Sequence, residues 1–151
     1  MELRILDLAE RADELYVPDD CQSIFAMYEE FYPKIGFVPP WVGYFVVREG
    51  RVVGCCGFVG QPKDGKVEIA YATFKEFEGQ GIASFSCSEM LKIAYQNDPD
   101  LTVTAQTAPE ENASVAILRK NGFAYKGVVQ DHEIGDAWLW MHEKEGPEPA
   151  K

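Results

Sequence analysis

The sequence predicts a mixed α/β domain, a mostly antiparallel sheet of about seven strands with helices on both faces. Three observations carry this. Strand-like apolar runs alternate with segments whose apolar residues recur every three to four positions. Turn signals at Glu49-Gly50 and Pro62-Lys63-Asp64-Gly65 join three successive strand runs into an antiparallel meander. The stretch Val67 to Ser84, VEIAYATFKEFEGQGIAS, passes from strand through a Gly-Gln-Gly turn into helix.

The first strand is expected at about Leu3 to Leu8, followed by helical segments near residues 9–16 and 21–32. In the second of these, Ile24, Met27, Tyr28 and Phe31 keep i, i+3, i+4, i+7 spacing. Pro33, Gly36, Pro39, Pro40 and Gly43 should break the chain next, leaving Phe37, Val38 and Trp41 in an aromatic loop. Strands follow at Tyr44 to Glu49, Arg51 to Gly60 and Lys66 to Phe74. A helix over 82–96 carries Ala83, Cys87, Met90, Leu91 and Ala94 on one stripe and ends at Asn97-Asp98-Pro99. Leu101 to Thr107 reads as a strand, and 112–121 as a helix closed by Gly122. Phe123 to Gln130 and Ala137 to His142 read as the last two strands, around a Gly135-Asp136 turn. The charged, proline-bearing end should fray, which puts one domain at 1–145 and a flexible tail at 146–151.

At 151 residues and 46% hydrophobic composition, the chain suits a single core that buries roughly two thirds of its unfolded surface. Acids outnumber bases 25 to 14, a net charge of −11, which argues against nucleic acid or an anionic membrane as partner. The same charge also serves solubility alone. Cys21, Cys55, Cys56 and Cys87 lack metal-ligand spacing, and adjacent Cys55 and Cys56 should point to opposite faces of a strand, so all four read as reduced core thiols. The N-terminal stretch does not read as a secretory signal and none is expected, and no run of about 18 apolar residues is present. A cytoplasmic enzyme or binding protein is the expectation.

The Gly79-Gln80-Gly81 turn reads as a phosphate cradle. Side-chain-free glycines let a ligand oxygen approach the backbone, and the first-turn N–H groups and helix dipole both favour an anion. About 25 residues later comes PEENASVAILRKNGF, a helix ended by Gly-Phe. In this order the two signals resemble the GNAT-type N-acetyltransferases, most closely the branch acting on N-terminal amines of ribosomal proteins and related small amines. The likeness covers roughly residues 44–130; the first 43 match only in strand-helix-helix order.

The resemblance implies acetyl-CoA as cosubstrate and a primary amine as acceptor, and it leaves a homodimer open. It places the pyrophosphate at Glu78, Gly79, Gln80, Gly81, Ile82 and Ala83, with Ser84 adding a hydroxyl. The strand backbone at Tyr71, Ala72 and Thr73 would pair with the pantetheine arm, and an N–H near Tyr71 and Ala72 would meet the oxyanion. The family's second-motif asparagine falls at Asn112 or, in ungapped register, at Glu111. Two departures stand out. Glu78 sets a carboxylate beside a diphosphate, which should repel unless it turns to solvent or pairs with a base such as Lys75. The family's frequent tyrosine acid is Leu118 here, and the favoured branch carries a serine one turn earlier, at Ser114.

Glu68 is the first candidate for general base and Ser114 for the group attending the sulfur. Each also has a plainer reading: a strand acid solvated or paired across strands, and a helix-start cap. His132 and Glu133 lack a third metal ligand, so no metal is expected. Trp138 and Trp140 share a strand face and suit the core. The Phe37 to Trp41 loop either shapes an acceptor pocket or plugs the sheet edge, and the acidic cluster of Asp131, His132, Glu133 and Asp136 suits either an amine substrate or simple solubility. Two other functional classes compete: a CoA-binding module without chemistry, and a nucleotide-phosphate binder. The turn lacks the Lys-Ser/Thr of a P-loop and the βαβ setting of a dinucleotide fold.

Overall fold

The computed structural model describes residues 1–131 and 135–143. Its sheet has seven strands: β1 (Glu2–Ile5), β2 (Gly43–Arg48), β3 (Arg51–Phe58), β4 (Lys66–Thr73), β5 (Thr102–Thr107), β6 (Phe123–Asp131) and β7 (Gly135–His142). They lie in the order β1-β2-β3-β4-β5-β7-β6. β4 and β5 run parallel, and the other neighbouring pairs run antiparallel. Three helices complete the domain: α1 (Asp19–Ile35), α2 (Ile82–Asn97) and α3 (Ala113–Lys120).

The expected meander is present, and its turns explain themselves. Glu49 and Gly50 have φ of 51° and 76°, and Asp64 and Gly65 have φ of 54° and 76°. These are the left-handed pairs that match the twist of two-residue hairpins. On β3, Cys55 faces Cys21 of α1, whereas Cys56 faces Ser86 and Cys87 of α2. Adjacent residues of one strand thus show that α1 and α2 cover opposite faces of the sheet. On the α1 face, Tyr16, Phe25 and Phe45 form a buried triad with ring centroids 4.7 to 5.2 Å apart.

Gly43 and Gly57 are cross-strand partners, and the Tyr28 ring fills the hollow they leave. A Cβ on Gly43 would lie 2.6 Å from Tyr28 Cζ, and one on Gly57 would lie 2.9 Å from the Tyr28 hydroxyl. These glycines are present because a ring needs their space.

The N-terminal third corrects several expectations. The first strand ends at Ile5, and residues 8–10 and 14–16 form two short 3-10 turns instead of one helix. Asp7 and Asp13 cause this by accepting from the amides of Ala9 and Leu15, local bonds that compete with a continuous helix. α1 runs three residues beyond the expected end, through Pro33. The proline sits on the exposed side one turn after exposed Glu29, whose carbonyl can turn to water, so the missing N–H is tolerated. The fully packed stripe of α1 is Cys21, Phe25, Tyr28 and Tyr32, and Met27 is 50% exposed. On α2 the buried positions are Ile82, Ser86, Cys87, Met90 and Ala94, while Ala83 and Leu91 are half-buried. Gly135 and Asp136 belong to β7, opposite Asp131 and Gln130, so they are not the turn. The residues between the strands, with His132 and Glu133, and the tail at 146–151 lie outside the described residues. Trp140 is core and donates through Nε1 to Thr107 Oγ1 at 3.0 Å, and Trp138 beside it is half-buried. Among the described residues no helix is long and apolar enough to cross a membrane.

Two stability outcomes follow. Gly43→Ala drives a methyl into the Tyr28 ring and is expected to cost about 1–3 kcal/mol, read as a lower urea midpoint. Asn112 Oδ1 caps α3 by accepting from Val115 N at 3.1 Å. Asn112→Ala is therefore expected to destabilise the fold by about 1 kcal/mol, measured by the same titration; no change would remove the cap from the account of α3.

Candidate active site

β4 ends at Thr73, and a single 3-10 turn over Lys75–Phe77 leads to Glu78-Gly79-Gln80-Gly81. Gly79 and Gly81 have φ of 80° and 82°, a region L side chains rarely adopt, and a Cβ on either would meet nothing within 4 Å. Glycine is needed there for backbone conformation, and the space above it is open to a ligand. Gly81 is the N-cap of α2 and offers no side chain, so the first intrahelical bond is Phe85 N to Gly81 O at 3.0 Å. Among the described residues the amides from Gly79 to Ser84 have no backbone acceptor. Six consecutive unpaired donors therefore lie at the positive end of a helix dipole, a setting suited to an anion.

The second feature is a split in the sheet. β4 pairs with β5 only over Lys66 to Glu68, opposite Thr102 to Thr104. Beyond that point β4 stays with β3 as far as Thr73, and β5 turns to β7. Gly54 helps hold β4 to β3, since a Cβ there would lie 2.6 Å from Ala72 O. Thr107 is held to β7 by the Trp140 indole.

Alternation decides which groups face the gap. Glu68 O accepts from Val59 N, and Phe74 N donates to Val53 O, so even-numbered residues of β4 turn their backbone toward β3. Gly65 O accepts from Thr102 N, so odd-numbered residues face β5. The backbone groups of Tyr71 and Thr73 thus open into the split. Those of Ala72, expected there with Tyr71, are turned instead toward its β3 partner Cys55. That register corrects the expectation of an oxyanion donor at Ala72.

Turn and split open into one cleft of about 670 Å³ between β4, the N-terminus of α2 and α3. Tyr71, Ala72, Thr73, Glu78, Gly79 and Gly81 line it from the strand and turn. Ile82, Ala83 and Ser84 line it from α2, and Ser114, Ile117 and Lys120 from α3. Gln80 is exposed and not among the lining residues. Ser84 Oγ accepts from Asn121 Nδ2 at 3.3 Å, which leaves the Ser84 O–H free to donate. Asn112 spends its side-chain oxygen on the helix cap, and Glu111 forms a two-pronged ion pair with Arg119 at 2.7 and 3.1 Å. Neither faces the cleft. Glu78 has no cation within 4 Å among the described residues, Lys75 included.

Lys120 and Ile117 were missed in the sequence. Their signal was available: 114, 117 and 120 recur at i, i+3, i+6 on the side of α3 away from the buried Val115 and Leu118.

Glu68 and Ser114 lie on different sides of β4. Val67 and Ile69 are buried beneath α2, Tyr71 reaches toward α3, and Glu68 shares the other face with exposed Ala70 and Ala72. The Glu68 carboxyl is half-buried and has no hydrogen-bond or ion-pair partner among the described residues. Burial raises its pKa above the usual carboxylate range, and Asp131 raises it further. The Ser114 carbonyl accepts from the Tyr71 hydroxyl at 3.3 Å. In the aromatic loop Trp41 packs on Phe58, while Phe37 and Val38 are 43% and 42% exposed. Among the described residues no three His, Cys, Asp or Glu side chains gather as a metal site.

A model of the acetyltransferase (GNAT) domain matches residues 10–124. An uncharacterized N-acetyltransferase, p20 of Bacillus licheniformis, is 27% identical over 90 residues, 58% of this chain and 51% of that protein. The chain thus spans about half the length of that curated relative. Among solved structures, the ribosomal L7/L12 alpha-N-protein acetyltransferase RimL in complex with coenzyme A superposes with a TM-score of 0.67 at 19% identity, over 93% of this chain and 92% of that one. A variant of the spermidine N-acetyltransferase SpeG from Vibrio cholerae gives 0.70 at 15% identity, over 96% of both chains. An acetyltransferase of Salmonella typhimurium that modifies the N-terminal serine of L7/L12 gives 0.68 at 17%, over 93% and 92%. At such identities the structural likeness is one of fold. With the family model spanning most of the sequence and the fold agreeing, the chain belongs to the GNAT acetyltransferase family.

Proposed function

We propose that this protein transfers an acetyl group from acetyl-CoA to a primary amine, of a small molecule or a protein N-terminus, by direct attack. The carrying observation is the cleft in which the partnerless amides of Gly79, Gly81 and the first turn of α2 meet a split sheet edge. In this reading the amides from Gly79 to Ser84 hold the pyrophosphate, Lys120 adds positive charge and the Ser84 hydroxyl donates one bond. Tyr71 and Thr73 pair their backbone with the pantetheine arm as a further strand would, and the Tyr71 N–H is the donor available to the oxyanion.

Glu68 takes the amine proton, directly or through water. Its half-burial suits a base, because a raised carboxylate pKa lies nearer the working pH. The cysteines support direct attack over an acyl-enzyme. All four are buried, with pKa values pushed up to about 11 for Cys21 and about 12 for Cys55 and Cys87, and raised further for Cys56. Thiols so protonated are poor nucleophiles.

Proton chemistry also narrows the acceptor. A lysine amine near pKa 10.4 costs roughly 4–5 kcal/mol to deprotonate at pH 7, an α-amine only about 1. One modest base therefore favours α-amines or other weakly basic amines. Similar folds include enzymes named for a ribosomal N-terminus and for spermidine, amines in both cases.

Thiol release from acetyl-CoA with a panel of peptide α-amines, polyamines and lysine ε-amines tests the proposal. Release with at least one amine is expected, and CoA binding with no release from any would leave a binding module instead. Glu68→Gln is expected to lower kcat roughly 100-fold. Wild-type activity should fall as the pH drops through the raised Glu68 pKa, because the base works deprotonated, and the variant should lose that acid limb. Glu78→Gln should tighten acetyl-CoA binding roughly two- to fivefold at low salt and less at high salt; calorimetry showing equal or weaker affinity would mean the carboxylate already points away from the diphosphate.

A further inference from the structure

Acetyl transfer needs help for the departing thiolate, and α3 offers little. Leu118, at the place of the family's tyrosine, is an apolar core residue only 1% exposed. The phenol in this cleft comes from the strand. Tyr71 of β4 lines the cleft, and its side chain crosses to the first turn of α3, where its hydroxyl donates to the Ser114 carbonyl at 3.3 Å. That is long for an O–H···O bond, whose usual length is about 2.7–2.8 Å, so an acceptor placed closer in the cleft competes for this donor. The backbone of the same residue opens into the split between β4 and β5. An acyl chain running inward from the Gly79 to Ser84 turn along β4 therefore passes this phenol.

Resting on the acetyltransfer reading, we propose that the Tyr71 hydroxyl donates the hydrogen bond that stabilises the leaving thiolate. Leaving-group assistance thus comes from β4, and Ser114 holds the phenol through its carbonyl. As the amine nitrogen bonds to the acetyl carbon, the carbonyl π pair moves to oxygen. When that pair returns, the C–S bond breaks and its electrons leave on sulfur. The proton lost by nitrogen goes to Glu68 and then to water. Tyr71 keeps its own proton: burial pushes its pKa up to about 12, against the opposing effect of Ser114, whereas a thiol lies near 8.5. It shares that proton as a hydrogen bond until sulfur takes one from water. The products are the amide and free CoA thiol.

Titrating the ultraviolet thiolate absorbance of CoA in stoichiometric complex tests this without any acceptor. Tyr71→Phe keeps the ring. It is expected to raise the pKa of the bound thiol by about one pH unit, with CoA affinity at low pH within about twofold of wild type. With a reactive amine, kcat should fall roughly tenfold or more while KM holds. A bound-thiol pKa equal in wild type and Tyr71→Phe overturns the proposal, as does one that moves in Ser114→Ala instead. Either result, in a chain that still acetylates amines, leaves the acetyltransfer reading standing. A wild-type protein that binds no CoA overturns both.

Discussion

The parting of β4 from β5 after Glu68 is the constraint on which the rest of the site depends. A continuous parallel pair would satisfy every backbone group of β4 and leave no edge for an extended ligand. Two side-chain choices far apart in sequence keep the strands separate. Gly54 lets β4 close tightly on β3, and Trp140 ties the far half of β5 to β7 through Thr107. Neither touches the cleft. Both act by deciding which neighbour each strand keeps.

An acidic protein proposed to hold an anionic cosubstrate has an electrostatic problem, and the local geometry answers it without many cations. The net charge of −11 is spread over the chain, whereas the unpaired amides from Gly79 to Ser84 are concentrated where the dipole of α2 begins. Fixed N–H groups need no side-chain ordering to act, and they keep their polarity at any physiological pH. Lys120 is the cation on the cleft wall and Glu78 the opposing charge on its rim. The balance there is local, and global charge is a poor guide to it.

Much of this was legible in the sequence for identifiable reasons. Strand runs bounded by Glu49-Gly50 and Asp64-Gly65 declared themselves because left-handed turn positions restrict residue choice. The Gly79 to Gly81 turn declared itself in the same way, and nine of the eleven residues expected at the site from β4, the turn and the start of α2 line the cleft, because neighbours in sequence are there also neighbours in space. Register was not legible. That Tyr71 and Thr73, and not Ala72, face the split depends on pairing with β3 residues 15 to 19 positions earlier. The stripe of α1 was misplaced because Met27 and Tyr28 are both apolar, and only the hollow at Gly43 and Gly57 selects Tyr28. Pro33 misled because a breaker's effect depends on whether the orphaned carbonyl can reach water.

β4 carries its two kinds of information on separate parts of one backbone. Its edge amides at Tyr71 and Thr73 are independent of side-chain identity, while the side chains at 68, 70 and 72 stand on the opposite face from α2 and α3. Substitution at Glu68 or Ala70, neither of which lines the cleft, can therefore reshape one surface of the strand and leave the other untouched. Two letters of the sequence can thus change on one side of the strand while the backbone that opens into the split stays as it is.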